Sequence, residues 1–351
     1  MSTRFAVVIP VLDDWESVGR LIDDIDRVAG SPHRVLEILI VDDGSIAELS
    51  ARALTPPRRN GNCVERIEIL KLALNLGHQR AIAVGLASLA RREDLGGAIV
   101  MDGDGEDRAE DIPRLIAEAI AHDGEVVFAR RARRSEGLVF RAGYQLYKGI
   151  FRAMTGKEIC FGNFSLLPMA AVKRLAHMPE LWNNLPAAIV RSRLRYRTID
   201  TVRGQRYAGQ SRMNLPSLIV HGLSAMAVYA DVMFVRVVMA AVAVSALSVL
   251  AMAGVAGIRL ATSLAVPGWA TTVFGDLCIV LFLALVIVVA TTFMVLASRT
   301  MRPFVPIADT GVFIDERILI AERSIEAWRS VTTRTTMRLT PEPSLSFSPA
   351  L

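Results

Sequence analysis

Two uninterrupted apolar runs near the C-terminus constrain this chain more than any other feature. Residues 237–258 and 277–298 are each 22 residues long and carry no charge. At 1.5 Å per residue, a helix of that length spans about 33 Å, against a bilayer hydrocarbon core of about 30 Å. Two such runs in succession predict a membrane hairpin rather than buried helices of a soluble domain. Ala241, Ala243, Gly254 and Gly257 are small enough for close helix approach, and Pro267-Gly268 stands where the hairpin turns. Arg203, Arg206, Arg212 and Arg236 precede the first run, and Arg299 and Arg302 follow the second. The connection holds only Arg259 and Asp276. Cytosolic loops carry the excess of Lys and Arg, so the expected location is the plasma (inner) membrane, crossed twice, with both termini cytosolic.

Composition excludes several classes. The 351 residues are 52% apolar and 21% charged, which rules out a disordered chain, a collagen or a disulfide scaffold. The net charge of +5 suits cytosolic flanks of a membrane protein, and no nucleic-acid partner is expected. Cys63, Cys160 and Cys278 lie far apart without C-x-x-C spacing, which excludes zinc and disulfide frameworks. From Arg4 the N-terminus enters a strand-like run, not a signal peptide.

The first 231 residues alternate strand and helix patterns. Phe5–Pro10, Leu36–Val41, Ile67–Leu72, Ala98–Met101 and Glu125–Ala129 are short apolar runs, as in strands buried on both faces of a mainly parallel sheet. Val18, Leu21, Ile22, Ile25 and Val28 keep helical spacing behind an Asp14 or Ser17 cap, and 81–89 and 112–120 repeat the theme. The fold class is α/β, doubly wound, followed by two transmembrane helices. The expected division is a cytosolic domain over 1–231, a hairpin over 232–300 and a cytosolic tail over 301–351. In the tail, 316–328 reads as a short amphipathic helix, and Ser, Thr and Pro from Thr332 predict disorder.

In such a sheet, ligands sit beyond the carboxyl ends of the strands. Carboxylates gather there: Asp13 and Asp14 after the first strand, Asp42-Asp43 after the second, and Asp102, Asp104, Glu106 and Asp107 after the fourth. Their mutual repulsion is costly without a cation. No G-x-G-x-x-G, P-loop or G-x-S-x-G elbow is present. The DGDGED stretch fails as an EF-hand, because Asp107 and Pro113 stand where Gly and Glu are required. What remains is an Asp-x-Asp after a parallel strand, two hard oxygen ligands suited to Mg²⁺ or Mn²⁺ beside a diphosphate. Glu106 continues the i, i+2 series.

The order of motifs resembles that of family 2 glycosyltransferases with the GT-A fold, in particular the polyprenyl-phosphate glycosyltransferases. The matching stretches are VVIPVLDD (7–14), ILIVDDGS (38–45), LNLGHQRAIAVGL (74–86), IVMDGDGED (99–107), EVVFARRARRSEG (125–137), GNFSLLP (162–168) and RYAGQSRM (206–213). The likeness covers roughly 4–300. It implies that Val11, Asp13, Asp42 and Asp43 hold the donor nucleoside. It places Asp102 at the donor sugar or ribose, and Asp104 with Glu106 at an Mg²⁺ or Mn²⁺ ion. Arg131, Arg134 and Arg206 would meet phosphates, and His78, in a turn after a strand, is a candidate for lining the donor site. Where the family often has Tyr-Asn-Glu, Gln and Asp, this chain has Leu12-Asp13-Asp14, Glu106 and Asn163. The Q-x-x-R-W signature of processive synthases is missing, which favours one sugar per cycle.

The implied partners are a nucleotide-sugar donor, polyprenyl phosphate (undecaprenyl phosphate in a bacterium), membrane lipid and further copies of the chain. A phosphate acceptor is already anionic at pH 7, its second pKa being about 6, so it needs no strong base. Phe140, Tyr144, Tyr147, Phe151 and Met154 recur at spacings of three or four, with Arg141, Lys148 and Arg152 on other faces, which predicts an interfacial helix. Residues 214–229 predict a second helix leading into the first span.

Overall fold

A computed structural model of the chain describes residues 3–28, 34–47, 49, 54, 63–131, 138–158, 161–209, 215–262 and 268–322. The strands are β1 Thr3–Val11, β2 Arg34–Asp42, β3 Val64–Leu72, β4 Gly97–Val100, β5 Val126–Arg131, β6 Ser165–Pro168, β7 Tyr196–Thr201 and β8 Ile314–Glu322. The helices are α1 Trp15–Val28, α2 His78–Leu89, α3 Ile112–Ala121, α4 Leu138–Thr155, α5 Met169–Ala176, α6 Leu185–Arg191, α7 Leu215–Ala227, α8 Ala230–Ala261, α9 Trp269–Thr300 and α10 Pro306–Asp309.

The strands form one sheet in the order β7-β5-β6-β4-β1-β2-β3-β8. β1 pairs in parallel with β2 and β4, β2 with β3, and β5 with β7, whereas β6 and β8 run antiparallel to their neighbours. The expected doubly wound, mainly parallel layout is therefore present. Successive β1 side chains divide between the two faces. Phe5, Val7 and Ile9 pack with the α1 and α3 residues Leu21, Ile22, Ile25 and Leu115. Ala6 and Val8 pack with the α2 and α5 residues Ile82, Leu86 and Val172. Such period-2 sorting is why the strands read as continuous apolar runs. α1 begins at Trp15, so Ser17 lies inside its first turn and does not cap it.

The tail differs from expectation. Residues 316–322 are not helical but belong to β8, antiparallel to β3, with Lys71 opposite Glu316 and Arg66 opposite Glu322. Charge pairing explains the choice. Arg317 meets Glu68 at 3.2 Å, Arg66 meets Glu322 at 3.4 Å, and Ile318 and Ile320 pack against the core. Cross-strand complementarity of this kind outweighs a local helical pattern. The remainder of the predicted tail helix and the segment from Thr332 lie outside the described residues.

The two apolar runs lie within α8 and α9, each 32 residues long. Only 11% of each apolar window is buried, so these are not core helices of a soluble domain. The chain is read as a membrane protein with a helical hairpin. The segment after α9 returns to the domain, where Phe304 and Phe313 stack around Trp182, at 4.1 and 5.5 Å between ring centroids.

Part of the aromatic stripe of α4 meets protein. Phe151 is buried among Ala225, Val228 and Tyr229, and Tyr147 donates its hydroxyl hydrogen to the Gly222 carbonyl at 3.2 Å. The stripe thus packs on the α7–α8 junction in its described part; the side chains of Phe140 and Tyr144 lie outside it. Exposed apolar side chains include Ile150 of α4 and Ile219, Val220 and Leu223 of α7.

Candidate active site

The sheet order reverses at β1: β2 and β3 lie on one side and β4 on the other. A crevice opens at such a switch point beyond the carboxyl ends of the strands. Every strand end singled out for its acid groups borders it.

Val11 ends β1 and its carbonyl accepts the Asp43 N–H at 2.8 Å, tying the first two strand ends together. Asp13 holds a left-handed backbone, φ 52°. Its Oδ1 accepts from Ile46 N and Ala47 N at 2.7 and 2.9 Å, and its own N–H donates to Ser45 Oγ at 2.8 Å. Asp42 is buried and accepts from Ser45 N at 2.9 Å. Asp43 accepts from Leu76 N and Gly77 N, at 2.7 and 2.9 Å. Burial pushes its pKa above the usual carboxylate value, against the pull of those two amides and of His78. These acids build the walls of a slot from loop backbone, and they are committed to it.

His78 opens α2. Its Nε2 lies 3.2 Å from Asp102 Oδ1 and 3.0 Å from Asn163 Nδ2. Burial works against the charged imidazole, but Asp102, Asp107 and Asp43 outweigh it and raise its pKa. Asp102 N donates to Asp107 Oδ2 at 3.0 Å, which closes the loop after β4 into a turn. The segment is therefore not extended, and the same-side logic of Asp-x-Asp is replaced by this turn, with Gly105 at φ +86°.

Asp104 and Glu106 face two arginines that lie 102 and 97 residues further along the chain. Arg206 binds Asp104 Oδ2, and its Nε lies 4.0 Å from Glu106 Oε1. Arg203 forks Glu106 Oε2 through Nε and a terminal nitrogen, at 3.0 and 2.6 Å. Asp104 Oδ1 accepts from Glu106 N at 2.9 Å. Burial raises the Asp104 pKa; the Glu106 amide and Arg206 work against it, and the nearby Asp102 and Glu106 carboxylates add to it. Tyr207 stitches the arginine loop down. Its N–H donates to the Asp104 carbonyl at 3.0 Å, its hydroxyl to Asp24, and its carbonyl accepts from Arg20 at 3.1 Å.

Gly105 is required here twice. Its φ favours glycine, and an added Cβ would lie 2.4 Å from carbons of the Tyr207 ring. Gly105→Ala is expected to cut turnover about tenfold or more, with the spans still inserted, because about 1–3 kcal/mol of overpacking falls on the loop itself. Equal turnover of variant and wild type would show that the loop is not held this way during reaction.

Arg131 ends β5, but its side chain lies outside the described ones, as do Arg134 and Arg212. Sequence reasoning does not single out Arg203, Arg20, Tyr207 or Gln79 for this site, although Tyr207 and Gln79 fall inside two of the matching stretches.

Residues 6–176 match the family model described as glycosyl transferase family 2. That match takes in 171 of the 351 residues, just under half of the chain. The matched segment contains the strand ends β1, β2 and β4 whose acids line the switch point. Among curated proteins, the undecaprenyl-phosphate 4-deoxy-4-formamido-L-arabinose transferase of Edwardsiella ictaluri is 29% identical over 219 residues, 61% of this chain and 64% of that protein. The transferase of the same description from Serratia proteamaculans is 28% identical over 222 residues, 62% of this chain and 64% of that protein. The chain thus spans just under two thirds of the length of these relatives. Glucosyl-3-phosphoglycerate synthase from Mycobacterium tuberculosis, solved with Mn²⁺, UDP and glucosyl-3-phosphoglycerate, matches with a TM-score of 0.47 at 14% identity, over 66% of this chain and 80% of that one.

Proposed function

We propose that the protein is a membrane-anchored glycosyltransferase that moves one sugar from a nucleotide-sugar donor to a polyprenyl phosphate at the cytosolic face. The observation that carries this reading is the crevice itself: acid-lined strand ends of a family 2 domain, closed by Arg203 and Arg206, on a chain with a membrane hairpin. The backbone-stitched slot of Val11, Asp13, Asp42 and Asp43 takes the nucleoside, and Asp102 with His78 takes the ribose or sugar. Arg131 and Arg134 follow the same reading as phosphate contacts.

A divalent cation, Mg²⁺ or Mn²⁺, fits the donor set, because Asp104 and Glu106 are hard oxygen ligands whose charges are met here by arginine. Asp104 and Glu106 would hold it beside the diphosphate of the donor. When bound, the cation supplies charge stabilisation for the departing diphosphate.

A phosphate oxygen of the acceptor attacks the anomeric carbon, the bond from that carbon to the diphosphate breaks, and the nucleoside diphosphate leaves with the electron pair. Arg206 and Arg203 turn from the carboxylates to the phosphates, where a planar fork grips two oxygens. Asn163 provides no base, and an ionised acceptor needs none. The exposed Ile219, Val220 and Leu223 of α7 lie in the headgroup layer, beside the first span. Both termini are cytosolic in this reading.

Nucleotide release tests it. The purified protein, given a panel of nucleotide sugars, should release the nucleoside diphosphate of one of them with undecaprenyl phosphate present and not with undecaprenol. Equal release with the alcohol would overturn the phosphate acceptor.

A further inference from the structure

Gln79 is a buried polar side chain beside the crevice that the reaction above does not use. It lies in the first turn of α2 and links three elements. Its Oε1 accepts from the backbone N–H of Leu185, the first residue of α6, at 3.0 Å. Its Nε2 donates to Asn163 Oδ1, also at 3.0 Å. Asn163 Nδ2 then lies 3.0 Å from His78 Nε2.

The direction of this chain is set at its far end. Amide orientations are normally assigned from their surroundings, and here the decisive neighbour is a backbone donor that cannot be reversed. Leu185 N–H requires an oxygen from Gln79, so the Gln79 amino group faces Asn163. Asn163 must answer with its oxygen, so its own amino group faces His78. The imidazole Nε2 therefore meets a donor on one side and the Asp102 carboxylate, at 3.2 Å, on the other. One nitrogen serves either Asn163 as acceptor or Asp102 as donor, not both at once.

We propose that Gln79 is a positioning residue of the donor site: by fixing the Asn163 amide, it selects the neutral His78 tautomer whose Nε2 is bare. The proposal rests on reading this crevice as the donor site, and it links α6 to His78 through Asn163. A carboxylate at position 79 reverses the chain. Both oxygens of Gln79→Glu accept, one from Leu185 N–H and one from the Asn163 amino group, so Asn163 turns its carbonyl toward His78 and Nε2 takes the proton. Gln79→Leu keeps the volume but breaks the chain at both bonds.

Histidine-selective ¹⁵N labelling of the full chain in detergent leaves five residues to resolve, and His78→Gln assigns the relevant one. Above the imidazole pKa, wild type should carry the His78 proton on Nδ1, and Gln79→Glu should carry it on Nε2. Gln79→Leu should show both forms and raise the donor KM about tenfold, with the acceptor KM unchanged, the size expected for losing a buried hydrogen bond. A wild-type tautomer already protonated at Nε2, or one unmoved in Gln79→Glu, overturns the proposal. If wild type transfers no sugar while the tautomer still switches, the positioning role stands and the substrate reading fails.

Discussion

Asp104→Ala should abolish transfer while leaving the domain folded and the hairpin inserted. Asp104 is a half-buried carboxylate whose Oδ1 is held by Glu106 N–H at 2.9 Å and whose Oδ2 binds Arg206. Its loss removes the proposed cation ligand beside the departing diphosphate. One preorganised group stabilising a developing charge is worth about 10²–10³ in rate, and a metal ligand should match or exceed that. The fold survives because the loop keeps its backbone stitches, Tyr207 N to the Asp104 carbonyl at 3.0 Å and Gly204 N to the Glu106 carbonyl at 2.8 Å. Single-turnover assays with protein of wild-type melting temperature check this. Near-normal turnover would remove Asp104 from the metal site.

Arg206→Lys is expected to lose about 10²-fold in turnover with unchanged membrane insertion, following the fork lost from a charge-stabilising contact. The guanidinium reaches Asp104 with a terminal nitrogen while its Nε stands 4.0 Å from Glu106. A lysine ammonium has one charged centre and cannot address both carboxylates, nor grip a diphosphate at two oxygens. Charge and positive-inside bias are preserved, so any loss belongs to geometry. Normal turnover in Arg206→Lys, with insertion defects confined to Arg206→Ala, would leave this arginine only a topological role.

The parts of the fold legible in sequence are those where burial dominates. β1, β2, β3 and β4 carry apolar side chains on both faces, so their runs stand out against any background. The acids after them stand out for the same reason, as the first polar groups past a buried strand. β7 escapes a sequence reading because YRTIDT is an exposed edge strand with one buried residue, Thr201. β6 is only four residues long. β8 imitates a helix because Ile314, Ile318 and Leu319 also satisfy a helical spacing, and its partner β3 lies some 250 residues earlier, as in the 249-residue separation of Glu68 and Arg317. In α4 the stripe is legible but its partner is not: periodicity reveals an apolar face, not whether protein or lipid covers it. The arginine clamp is hidden for a related reason. Arg203 reads as an ordinary juxtamembrane cation until the turn at Gly105 and the close approach of Gly204 bring the two loops together. Gln79 gives no signal, because a glutamine beside a histidine has no pattern to betray two long-range hydrogen bonds.

The most direct test of the central claim follows both halves of the product. Purified protein is supplied with ¹⁴C-labelled nucleotide sugar and ³²P-labelled undecaprenyl phosphate, with Mg²⁺ or Mn²⁺. One lipid species should carry both labels, formed only with the divalent cation and lost in Asp104→Ala. Sugar label on a species without the acceptor phosphorus, or equal product from Asp104→Ala, would contradict it.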